Sequence, residues 1–205
     1  MQLYHKYNLC KPLFSLISTI QIYKLEKIFY VIILSMKLYL HDLKENRANL
    51  ILPKSDEGVK VFSAIPKVKT CIGCLGCWLK TPGMCVIDDR VTEFIKYLSI
   101  SDELHIISSI AYGGLSSKIK AVLERSLGYI LPFFEIKNDQ MHHPPRYNQK
   151  LKMHYHVYSQ EGYDVFAEEI ETVKKIAEAN AVNFSADTVT CEYYEDINDV
   201  QEAFI

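Results

Sequence analysis

Cys71-Ile72-Gly73-Cys74-Leu75-Gly76-Cys77-Trp78, followed by Cys85, brings four of the chain's six cysteines together in the spacing C-x2-C-x2-C-x7-C. Thiolates two residues apart can converge on one point, which suits a soft metal or an iron–sulfur cluster. Cys71, Cys74, Cys77 and Cys85 are therefore candidate ligands of a [4Fe–4S] cluster. The same segment also reads as a glycine-rich loop, with Gly73, Gly76 and Gly83 bringing main chain against a flat cofactor while the thiols pack. Zinc fits less well, because its structural sites pair distant C-x2-C knuckles and here every cysteine of the group lies in one loop.

A second chemical segment is Tyr112-Gly113-Gly114-Leu115-Ser116-Ser117, which follows the apolar run at 103–108. Its glycines admit close approach by a planar ligand, Tyr112 offers an aromatic face, and Trp78 offers another or a cover for the site. Other polar groups have plainer readings. His142 and His143 are adjacent, so their side chains diverge and one shared metal is disfavoured; with Arg146 they read as loop or subunit-contact residues. His154 and His156 share one strand face with no third ligand in view. Asp88-Asp89 reads as a helix cap. Cys10 and Cys191 are isolated.

The elements that must hold these groups alternate strand and helix. Strands are expected at 37–41, 58–63, 103–108, 151–158 and 188–193. Helices are expected at 44–52, 91–98, 117–127 and 164–181, the last with Phe166, Ile170, Val173, Ile176 and Ala177 on its apolar stripe. Alternation of this kind predicts an α/β fold, a doubly wound five-stranded parallel sheet in a three-layer α/β/α sandwich. In such sheets ligands bind beyond the carboxyl ends of the strands, where the strand order reverses. Both chemical segments leave carboxyl ends. Their environment suits a flavin, which needs stacking and main-chain hydrogen bonds. The segment 128–150 is too long and too aromatic for a plain connector and is read as a flap or subunit contact.

The chain has 205 residues, enough for one domain. Net charge is −2 with 49% hydrophobic residues, which gives no electrostatic case for nucleic acid or an anionic membrane. Clustered cysteines point to a reducing cytoplasm. Residues 1–35 are read as an N-terminal extension before a domain at 36–205. An interfacial anchor, a packing helix and upstream sequence before a start at Met36 all fit, and the strand that begins after Met36 favours the third. The longest uncharged run, 12–23, is too short to span a bilayer.

CIGCLGCW…TPGMCVIDD, followed by IISSIAYGGLSSKIKAVLERS, resembles the flavodoxin-like NAD(P)H-dependent FMN reductase family, in its cysteine-containing branch near the iron–sulfur flavoproteins. The resemblance covers about 36–195. It implies a cytoplasmic flavodoxin-like enzyme, a homodimer or homotetramer, that passes electrons from NAD(P)H through FMN to a small acceptor. The isoalloxazine would lie against Ser109, Ile110, Ala111, Tyr112, Gly113 and Gly114, with Cys71, Gly73, Cys74, Cys77 and Trp78 on the facing loop. Tyr112 matches the tyrosine of the family's S-P-x-Y motif, with Ile110 in place of the proline. Lys120 and Arg125 match its K-x-x-x-D-R helix, with Glu124 in place of the aspartate. An iron–sulfur electron carrier and a non-catalytic relative remain as alternatives. The chain departs from the family after the first strand, where Asp42-Leu43-Lys44-Glu45-Asn46-Arg47 stands in place of a Ser/Thr/Asn-rich phosphate loop.

Overall fold

The computed structural model describes residues 35–137 and 139–204, so the readings of the N-terminal segment lie outside the described residues apart from Ser35. Within the compact unit Met36–Ile205 the elements run β1 (Lys37–His41), α1 (Glu45–Ile51), β2 (Val59–Ser63), α2 (Gly76–Leu79), α3 (Val91–Leu98), β3 (Glu103–Ala111), β4 (Gly114–Leu115) and α4 (Ser117–Arg125). A 3-10 turn (Ser126–Tyr129), β5 (Glu135–Lys137), β6 (Gln140–His142), β7 (Lys152–Tyr158), α5 (Ala167–Asn183), β8 (Thr188–Tyr194) and a second 3-10 segment (Ile197–Phe204) complete it.

Five strands pair in parallel in the order β2-β1-β3-β7-β8, and β4 folds back antiparallel on the end of β3. The order reverses between β1 and β3, which makes that gap the expected ligand crevice. All five expected strands form, and the four expected helices form within a few residues of their expected limits.

Alternation along the strands gives the sheet two chemically different faces. Leu38, Leu40, Leu104, Ile106, Met153, Tyr155 and Val157 point to one side, where they bury against Phe94, Ile95 and Leu98 of α3, Ile119 and Val122 of α4, and Val173 and Ala177 of α5. The opposite face carries Tyr39 and Ile107, closed by Ala48 and Ile51 of α1 and by Val200. The same face carries three histidines, His105 of β3 and His154 and His156 of β7.

The insertion at 128–150 contains the β5–β6 hairpin, whose Ile136 and Met141 are exposed, as are Phe133 and Phe134 just before it. Among the described residues no helix is long and apolar enough to cross a membrane.

Candidate functional site

The hairpin that ends β3 forms one wall of the crevice. Ile110 pairs with Leu115 and Ala111 with Gly114, leaving Tyr112 and Gly113 as a two-residue turn with φ of 51° and 70°. Positive φ at both central positions is the type I′ pattern, whose twist matches the flanking strands. Gly113 is required there: an added Cβ would lie 3.1 Å from Thr172 Cβ of α5. The turn pushes Tyr112 into solvent at 91% exposure, with Tyr163 edge-on at 6.3 Å. Ser109, Ile110, Gly113 and Gly114, however, are buried. Of the six residues expected to seat the ring, Ala111 and Tyr112 reach the surface, because the hairpin pairs its main chain with itself and packs Gly113 against α5.

Behind the hairpin lies a network centred on Asp42, the residue after β1. Its carboxylate accepts the Ser109 N–H at 3.2 and 3.3 Å, the Ser109 hydroxyl at 2.9 Å and the Tyr158 hydroxyl at 2.8 Å. Gln160 Nε2 donates to Ser109 Oγ at 2.7 Å. Burial, then the Asp42 charge, push the Tyr158 hydroxyl far above its ordinary pKa, so it remains a donor. On the other side of the strand, Ser108 Oγ accepts the Ser116 N–H at 2.9 Å and Ser116 Oγ caps α4. Asp42 thus stands where the family resemblance calls for phosphate-binding main chain, and its carboxylate already takes the Ser109 amide. The sequence shows Asp42 in the place of the phosphate loop but not its role as anchor of β3 and β7. The signal that could have pointed to this role was the run of polar residues Ser108, Ser109, Tyr158 and Gln160 at neighbouring strand ends.

The cysteine loop is brought together elsewhere. Cys71, Cys74, Cys77 and Cys85 line one recess of about 20 Å³ with Glu124, Arg125 and Leu127, at the far end of α4 from the hairpin. In this recess the cysteines meet the carboxyl end of α4, while Gly113 of the hairpin meets Thr172 of α5. Trp78 is tied to the segment that follows α4. Its Nε1 donates to Ile130 O at 2.9 Å and Leu127 O at 3.3 Å, and its ring leans on His143.

Arg125 holds the loop down. Its fully buried side chain donates to Asp89 Oδ2 at 2.6 Å, Ile87 O at 2.8 Å, Lys69 O at 3.4 Å and Cys85 Sγ at 3.4 Å. Burial opposes ionisation of Asp89, but the Arg125 and Val91 hydrogen bonds outweigh it and hold the carboxyl below its usual range. Asp89 also accepts the Val91 N–H and so caps α3. Burial, then neighbouring Cys85, raise the Cys77 thiol, and the five described cysteines are free.

His142 and His143 diverge as expected, to Asn183 Oδ1 and Phe133 O. Beside the hairpin's Gly114 and Leu115 opens a cavity of about 490 Å³ lined by Leu123, Tyr129, Ile176 and Phe184, with Lys120 and Asn180 as polar groups.

The chain is similar to a solved NAD(P)H:quinone oxidoreductase from Methanothermobacter marburgensis, with a TM-score of 0.54 and 12% identity over 82% of this chain and 90% of that one. The fold is flavodoxin-like. An FMN-dependent NADH-azoreductase from Bacillus anthracis aligns at a TM-score of 0.45 and 9% identity over 82% of this flavodoxin-like chain and 92% of its own. In sequence, an iron–sulfur flavoprotein of Methanocaldococcus jannaschii is 32% identical over 75 residues, which is 35% of this chain and 38% of the relative's length. No protein-family model matches the chain.

Proposed function

We propose that this flavodoxin-like chain is a flavin-dependent oxidoreductase, passing electrons from NADH or NADPH through FMN to a small acceptor. The observation that carries this reading is Tyr112, presented at 91% exposure on a type I′ turn at the β1/β3 switch point. The names of the structural relatives, a quinone oxidoreductase and an FMN-dependent azoreductase, support it. When bound, a flavin supplies a ring that accepts hydride and returns electrons to a second substrate.

The residues present fit the ring end of such a group and not its phosphate end. Tyr112 offers a face to stack on, whereas the turn after β1 offers the Asp42 carboxylate. The protein therefore recognises the ring and holds the flavin exchangeably. The cavity of about 490 Å³ that begins at Gly114 suits a small, largely apolar acceptor. The exposed Phe133, Phe134, Ile136 and Met141 on the insertion support a homo-oligomer joined there, and the free thiols support a reducing, cytoplasmic setting.

A second reading, a [4Fe–4S] cluster on Cys71, Cys74, Cys77 and Cys85, is favoured by one observation: all four line the same recess beside the Arg125 guanidinium.

Absorption spectra of anaerobically purified protein, followed by titration with FMN and with riboflavin, separate these readings. Flavin bands, comparable affinity for FMN and riboflavin, and flavin-dependent NAD(P)H oxidation weakened by Tyr112→Ala are expected. A broad absorption that bleaches with dithionite would establish the cluster. Colourless protein that takes up neither flavin overturns the proposal.

A further inference from the structure

On the α1 face of the sheet, His105 of β3 lies directly opposite His154 of β7, and their rings stack at 4.7 Å. Glu103 stands two residues before His105 on the same face. One ligand atom from each of Glu103, His105 and His154 falls within 4.8 Å of the other two, the one such trio found among the described residues. His105 Nε2 is buried, lies 3.5 Å from Glu103 Oε2 and has no hydrogen-bond partner among the described residues.

The hydrogen-bond network assigns the tautomer of His105. Tyr194 donates its hydroxyl proton to Glu192, so Tyr194 Oη accepts from His156 Nδ1 at 3.3 Å. His156 Nε2 then carries a lone pair and accepts from His105 Nδ1 at 3.3 Å. The proton of His105 is thus on Nδ1, and its Nε2 lone pair faces the Glu103 carboxylate. The lone pair of His105 Nε2 is left without a donor among the described residues, beside a carboxylate whose nearest cation is the half-exposed Lys37. On the other ring, Nδ1 of His154 is engaged by Thr190 Oγ1 at 3.0 Å, which leaves its Nε2 for a metal.

We propose that Glu103, His105 and His154 form a binding site for one borderline divalent transition metal of the Zn²⁺ or Co²⁺ type. Two imidazoles and a carboxylate are a donor set such ions take, with a further position left for water. Tetrahedral ligands with bonds of about 2.1 Å sit about 3.4 Å apart. The His105–Glu103 pair already has that separation, and His154 closes the remainder by side-chain rotation. His156 and Thr190 serve as the outer partners that orient the two ligating rings. Two lysines face Glu103 at present, Lys37 Nζ at 3.3 Å and Lys152 Nζ at 3.9 Å. Both side chains are about half exposed, so the metal displaces them into solvent. The site sits at the amino half of the sheet and does not depend on the flavin reading.

Titration of the metal-free, reduced full-length protein with Co²⁺ tests this. The expected result is one Co²⁺ per chain, with ligand-field bands and no thiolate charge-transfer band. Affinity should fall at least about tenfold in Glu103→Gln and in His154→Ala. Zn²⁺ should raise the melting temperature of the wild type but not of the double variant Glu103→Gln/His154→Ala. His154 is only half-buried, so its variant keeps the core intact. Absence of binding, binding unchanged in both single variants, or binding seen solely through a thiolate charge-transfer band overturns the proposal.

Discussion

Asp42 is a buried carboxylate with three donors and no cation beside it in its hydrogen-bond network. Hydrogen bonds to a charged group are worth about 1.5–3 kcal/mol each, and donors left unpaired by truncation add their own desolvation cost. Asp42→Ala should therefore lower stability by about 3 kcal/mol in urea denaturation, whereas a solvated surface aspartate would give a change under about 0.5 kcal/mol. Asp42→Ser, which frees the Ser109 amide, should tilt flavin selectivity from parity toward FMN, read as the ratio of FMN to riboflavin dissociation constants. Arg125 poses the matching problem with the opposite charge. Removing the guanidinium strands Asp89, whose side chain is 23% exposed and so partly solvated, at about 1–3 kcal/mol. Arg125→Met is expected to lose that much and to speed alkylation of buried Cys77, because four contacts to the cysteine loop go with it. An unchanged alkylation rate would mean that the loop is held by something other than this guanidinium.

At the scale of elements, the docking of the cysteine loop on α4 depends on two glycines as much as on Arg125. A Cβ on Gly128 would meet Gly83's carbonyl carbon at 2.8 Å, main chain against main chain, so neither side can yield cheaply. Gly128→Ala should cost about 1–3 kcal/mol, and limited proteolysis should cut the loop at 64–90 sooner than in the wild type. Much of this level was legible beforehand. Apolar runs and 3.6-residue stripes placed the strands and long helices, because burial on a parallel sheet leaves a periodic mark. The docking partner of the cysteine loop was not legible. A loop that leaves β2 can fold toward the β3 turn or along α4, and the choice rests on long-range contacts such as Trp78 Nε1 to Ile130 O, which leave no periodicity. The antiparallel return of β4 onto β3 was not legible for a related reason: the glycines mark a turn, but Tyr112 carries φ 51° without being glycine, and two residues of strand leave no alternation.

Across the whole molecule the sheet divides its labour, with an aliphatic face packed by three helices and a face rich in tyrosine and histidine under α1 and the C-terminal 3-10 segment. The histidine face could not be read from one strand, since His154 finds His105 only through the β3–β7 register. That face also makes the fold sensitive to acid. His41 is 3% exposed, its Nδ1 has no partner among the described residues, and burial, only partly offset by Asp42, lowers its pKa to about 4. Between that value and the ordinary histidine pKa near 6.5 the unfolded chain binds a proton that the native chain refuses. The unfolded state holds more protons in this window, so stability rises with pH across it, and the contribution is complete above about 6.5 and lost as pH falls toward 4. Each such proton contributes a slope of about 1.4 kcal/mol per pH unit. Carboxylates titrate near the lower end of the same window, so the wild-type profile alone cannot assign the slope. The difference between wild type and His41→Gln can. Urea unfolding free energies of the metal-free protein, measured from pH 7 to 4, should converge as pH falls, with the wild type losing more than the variant by about that slope; parallel profiles would place the acid sensitivity elsewhere.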